Sequence, residues 1–115
     1  MSVDDTVALA QRYLDGGRPF HAHEVLEALW KTRPASERDL WQGLAQIAVG
    51  LTHAMRGNTV GATTLLRRGA GRVASYSGDA HGIDIGSVLT WAAELAASPT
   101  TAAAFTNLRL SDADG

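Results

Sequence analysis

Helix breakers constrain this chain more than any other feature of it. Gly16-Gly17 with Pro19, then Pro34, then Gly57-Asn58, then Pro99 leave segments that suit helices of a few turns joined by short connections. Within the segments, apolar residues recur at spacings of three and four, the period of a helix that buries one face. Hydrophobic residues make up 45% of the 115 and alanine is abundant, so intrinsic propensity agrees with the pattern. The expected fold is all-α, a compact bundle of about five helices around an antiparallel central helical hairpin. One domain over residues 1–110 and a frayed C-terminal tail over 111–115 are expected.

The first helix is read from Asp4 and Asp5, whose charge favours a helix N-terminus, through Tyr13 and Leu14 to the Gly16-Gly17 stop. Pro19 suits the first turn of the second helix, which runs to about Thr32, because the residue before Pro34 is pushed out of helical geometry. Ser36 is placed to cap the third helix, with Asp39 in the capping-box position, and Gly57-Asn58 ends it. The segment "TVGATTLLRRGAGRVASY" then folds back as the fourth helix. "SGDAHG" is a loop, Asp84 caps a fifth helix that Pro99 halts, and "TTAAAFTNLRL" forms a last short turn.

Charge and composition exclude several function classes. A net charge of −2 with scattered Lys and Arg gives no electrostatic footprint for nucleic acid or an anionic membrane. The absence of Cys removes disulfides, thiolate metal sites and cysteine nucleophiles. No apolar run approaches the roughly twenty residues of a membrane span, and the start "MSVDDTVALA" lacks the marks of a signal peptide, so a cytoplasmic location is expected. There is no serine nucleophile elbow and no phosphate-cradling glycine loop.

The chemistry concentrates in "FHAHEVLEALWK". On a helical wheel Ala22, Val25, Leu26 and Leu29 form the apolar arc, and His23, Glu27 and Trp30 stack at its edge. His21 and Glu24 point elsewhere. "HEVLE" has Glu27 where a zincin would carry its second histidine, so Glu24 inherits no general-base role. In the third helix, Leu40, Leu44, Ile47, Leu51 and Met55 make a core face, beside a seam of Gly43, Gln46, Gly50, His53 and Gly57 bordered by Gln42. Glycine inside a helix costs roughly 1 kcal/mol relative to alanine, so such a seam implies close approach of a backbone or a bulky ring. Trp30 is the ring expected there. Helix two lying antiparallel on that seam would bring His23, Glu27, Trp30, Gln42, Gln46 and His53 into one semi-buried cluster.

That cluster admits three readings. A structural hydrogen-bond network would satisfy buried groups and fix helix register. A divalent metal held by His23, Glu27 and His53 would support a hydrolase or oxygenase. A small-ligand pocket would use Trp30 as an apolar wall and Glu27, His53 and Arg68 as polar readers. Arg67, Arg68 and Arg72 form a cationic patch better explained by the helix dipole or by solvation than by phosphate binding. Trp41, if exposed, would offer a dimer or adaptor face. The leading expectation is a non-enzymatic, homo-oligomeric helical module with a structural or ligand-facing cluster and no catalytic residue.

"FHAHEVLEALW", "LWQGLAQIAVGLTHAMRGNTVGATTLLRRG" and "HGIDIGSVL" together resemble the bacterial and archaeal domain-of-unknown-function family 309, over roughly residues 13 to 95. The family's pattern falls on Phe20, His23, Glu24, Glu27, Trp30, Gln42, Gly43, Gln46, His53, Gly57 and Asn58. His21 departs from it, standing where a hydrophobic or acidic residue is more usual. The resemblance implies a small multihelical bundle and carries no activity, metal or reaction with it.

Overall fold

The structure is a computed structural model describing residues 1–100 and 107–111. Five α-helices follow one another among the described residues: α1 Val3–Asp15, α2 Pro19–Thr32, α3 Arg38–Met55, α4 Thr59–Ser75 and α5 Ile85–Ala97. The all-α reading holds. No helix among the described residues is long and apolar enough to cross a membrane.

Local chemistry accounts for most boundaries. Ser2 caps α1 by accepting from the Asp5 amide at 3.0 Å, Asn58 caps α4 through the Gly61 amide at 3.0 Å, and Asp84 caps α5 through Ser87 at 3.1 Å. Gly17 and Gly57 sit at φ 73° and 80°, left-handed backbone that a side chain would strain, and each turns the chain directly after a helix. The start of α3 differs from expectation. Ala35–Glu37 wind into a 3-10 turn and α3 begins at Arg38 with no side-chain cap, so Ser36 and Asp39 form no capping box. Asp39 instead receives Arg72 Nη1 from α4 at 3.3 Å.

The central hairpin is α3 against α4. Its direction is visible in the glycines: Gly43 meets Gly69 and Val73 whereas Gly50 meets Leu66, so position rises on one helix as it falls on the other. This corrects the expected role of the seam. Gly43 and Gly50 receive α4 and not Trp30. A Cβ at Gly43 would lie 2.7 Å from Val73 Cγ2 and 2.9 Å from the Gly69 carbonyl, so the two main chains touch. Leu40, Leu44, Ile47 and Leu51 fill the core on the adjoining face, with Leu26 from α2, Leu66 and Val73 from α4, and Leu95 from α5.

The C-terminal segment closes the base. Leu108 and Leu110 are buried, and the Gln11 amide spans them, donating to the Leu108 carbonyl and accepting from the Leu110 amide, both at 2.8 Å. Ser111 pairs with Ile83 in an isolated antiparallel bridge. Residues 112–115 of the expected tail, and most of the turn expected over "TTAAAFTNLRL", lie outside the described residues.

Candidate functional site

Helix α2 buries Ala22, Leu26 and Leu29, and this arc dictates what its flank presents. Residues one position beyond the arc at helical spacing, His23, Glu27 and Trp30, become half-buried where α2 meets α3. His23 Nε2 stands 2.8 Å from Glu27 Oε2, one turn along, and Lys31 Nζ reaches the other carboxylate oxygen at 3.4 Å. Burial pushes the Glu27 carboxyl upward, yet the hydrogen bonds from His23 and Lys31 outweigh it and hold the group below its ordinary range. A carboxylate only accepts, so the imidazole proton facing it sits on Nε2. His21 and Glu24 are exposed, and the His21 ring packs at 5.3 Å from Tyr13 on α1.

From α3, Gln42, Ala45, Gln46 and Val49 face the same space, and Leu65 of α4 closes it, leaving a cavity of about 260 Å³. A cavity of about 150 Å³ already accommodates benzene, so this one exceeds a packing defect. Two atoms on its lining residues, His23 Nδ1 and Gln46 Oε1, are buried without a hydrogen-bond partner among the described residues. Buried polar groups are nearly always satisfied, and leaving one unpaired costs on the order of 1–3 kcal/mol. The Arg38 guanidinium lies over the Trp30 ring at 5.9 Å from its centroid.

Of the residues expected to cluster, the structure brings together His23, Glu27, Trp30, Gln42 and Gln46. His53 is elsewhere. Its Nδ1 sits 3.1 Å from Asn58 Nδ2, at the turn that ends α3, where it tethers the residue capping α4. The proposed ligand set of His23, Glu27 and His53 therefore does not converge, and no three His, Asp or Glu among the described residues are arranged to hold a metal ion. Arg68, also expected to read a ligand, is exposed and absent from the cavity wall.

Trp41 is a second correction. It is fully buried and its indole Nε1 donates to Glu37 Oε1 at 2.9 Å, so the exposed tryptophan on which a dimer or adaptor face depended is not found. This exposes a polar centre that sequence reasoning missed. Arg33 grips Glu37 with two hydrogen bonds of 2.9 and 3.0 Å, and His81 Nε2 reaches Glu37 Oε2 at 3.2 Å, its ring 5.7 Å from that of Trp41. The Arg33 bonds, against the opposing effect of burial and with help from Trp41 and His81, hold the Glu37 carboxyl at about 2. Arg33, Glu37 and Trp41 are spaced by four, a signal present in the sequence but obscured by Pro34. His81, itself a loop residue at φ 52°, left no such trace.

A larger groove of about 700 Å³ runs between α1 and the C-terminal segment. Several of its polar groups are already engaged: Gln11 with Leu108 and Leu110, Asp15 with Arg109 at 3.6 Å, and His81 with Glu37. The smaller cavity, with two unmatched atoms, is the stronger candidate.

Among curated proteins, the chain is 46% identical over 48 residues to the uncharacterized protein YpuF of Bacillus subtilis (strain 168), a match covering 41% of this chain and 28% of that protein. The chain thus spans well under two thirds of that relative, and no solved structure matches. The model of a family described as a domain of unknown function, DUF309, matches residues 7–65. That span stops within α4, short of the "HGIDIGSVL" segment, yet it contains every residue lining the cavity between α2, α3 and α4. The chain belongs to the DUF309 family of domains of unknown function.

Proposed function

We propose that this chain is a binding module whose cavity between α2, α3 and α4 receives a small, partly polar molecule. One observation carries the reading: His23 Nδ1 and Gln46 Oε1, on two different helices, are both buried and both unmatched on residues lining one cavity. A network closed by protein atoms alone would pair His23 with Gln46 or each with a backbone group, and neither atom has such a partner among the described residues. The apolar residues Trp30, Val49 and Leu65 supply the remaining surface, the usual division of labour in a ligand pocket.

The test is a screen of fragments of about ten heavy atoms or fewer, followed by amide and indole NMR shifts of the full chain, with Val49→Phe as the cavity-filling control. Saturable shifts confined to His23, Trp30, Gln46 and their neighbours, lost in a folded Val49→Phe variant, are expected. A screen that leaves these resonances unmoved, or binding that survives filling of the cavity, overturns the proposal.

A further inference from the structure

We propose that the occupant of this cavity is a small primary ammonium with a short apolar chain; the inference rests on the binding reading above. The reasoning begins with which hydrogen-bonding functions are left over. Glu27 takes the His23 Nε2 proton, so in the neutral ring Nδ1 offers a lone pair. Gln46 Oε1 is an amide oxygen and offers lone pairs as well. With the ring neutral both unmatched atoms are acceptors, and a molecule that satisfies them brings at least two N–H or O–H donors. An ammonium carries three donors. A single hydroxyl carries one and a carboxylate none.

Charge points the same way. With the imidazole neutral, Glu27 is the single formally charged side chain among the lining residues His23, Glu27, Trp30, Gln42, Gln46 and their apolar neighbours. Its nearest cation, Lys31, is mostly in solvent with a side chain 64% exposed, where water and salt screen its charge. The cavity wall is thus rich in acceptors, anionic on one side, and lined beyond that by Ala45, Val49 and Leu65, which suit methylene groups. Its volume of about 260 Å³ holds a head group and a chain of a few carbons.

The experiment compares n-butylammonium, butan-1-ol and butanoate, ligands of matched length, by NMR titration of the full chain at neutral pH. The Trp30 indole resonance is followed, with Trp41 serving as an internal control because its indole is committed to Glu37. Butylammonium is expected to saturate the Trp30 shift with at least ten-fold higher affinity than butan-1-ol, and butanoate to leave it still. Replacing the amide acceptor in Gln46→Leu is expected to weaken butylammonium by roughly 10-fold or more, the range for a charge-assisted hydrogen bond. Gln46→Glu, which keeps acceptors at the position and adds charge, is expected to bind it at least as tightly as the wild type; weaker binding by this folded variant overturns the ammonium assignment. Equal or tighter binding of butan-1-ol or butanoate overturns the ammonium assignment and leaves the cavity as a ligand site. No response to any of the three, when the fragment screen has found other ligands, also removes the assignment alone. Silence in both experiments removes both readings.

Discussion

The carbonyl oxygen of Gly43 lies 2.6 Å from the point where a Cβ on Gly69 would stand. Helices α3 and α4 thus meet main chain to main chain, and the same Cβ would also approach the Ile47 amide nitrogen at 2.9 Å. Neither obstacle is a side chain that could swing away.

Two glycines on one helix give opposite expectations. Gly69→Ala forces α3 and α4 apart and is expected to destabilise the protein by about 1–3 kcal/mol, the range for overpacking. Gly71, two residues on, has open space around its missing Cβ and lies inside α4. Gly71→Ala is expected to stabilise by roughly 0.5–1 kcal/mol through helix propensity. Chemical denaturation of the two variants checks both signs at once.

Glu37 sets an acid limit on stability. Its carboxyl is held at about 2 in the folded chain against an ordinary 4.5, so its contribution is complete above the higher value and lost as pH falls through 4.5 toward 2. Glu37→Gln is expected to lower stability at pH 7 by about 1–3 kcal/mol, because an amide cannot satisfy Arg33, Trp41 and His81 together. Denaturation curves of variant and wild type are expected to converge as the pH approaches 2.

Trp41 is expected to be the slowest of the three tryptophan indoles to exchange its N–H with solvent, being buried and bonded to a carboxylate. Trp41→Phe, which keeps an aromatic core residue but removes that donor, is expected to cost about 2–4 kcal/mol from cavity and lost hydrogen bond together. Hydrogen exchange by NMR and thermal unfolding provide the two measurements.

Gln11 holds the C-terminal segment as a neighbouring strand would. Gln11→Ala removes the acceptor for the Leu110 amide and the donor to the Leu108 carbonyl. The Leu110 amide is expected to exchange on the order of ten-fold faster or more, with amides in the middle of α3 unchanged, since loss of one docking contact opens a local unit first. Exchange followed by mass spectrometry or NMR distinguishes this from global destabilisation.

How much of this was legible beforehand depended on whether a feature was local. Pro19 and Pro34 marked α2 because proline acts on its own backbone and its neighbour's, and the observed helix is Pro19–Thr32. His23, Glu27 and Trp30 could be placed on one flank because helix geometry alone decides it. Gln42 and Gln46 joined them correctly in space. The partner of the glycine seam was not legible: Gly43 and Gly50 announce a close approach, but the rotation of α3 about its axis decides whether α2 or α4 makes it. His53 was misplaced for an axial reason: it shares a face with Gln46 but lies two turns further on, at the end of α3, where it meets Asn58. The Glu37 centre needed His81, 44 residues away, and no periodicity connects a helix to a loop at that distance.

The glycine contact between α3 and α4 also governs how the cavity can change. Its floor, Gln42 to Val49 with Leu65, is carried by two helices whose separation is set by backbone thickness, independent of rotamer choice. Its remaining wall is α2, joined to that floor at one end through the Arg33–Glu37 fork. Main chain thus fixes the spacing of two of the three helices that enclose the space, and on the third, α2, His23 is the cavity residue farthest from the fork along the helix.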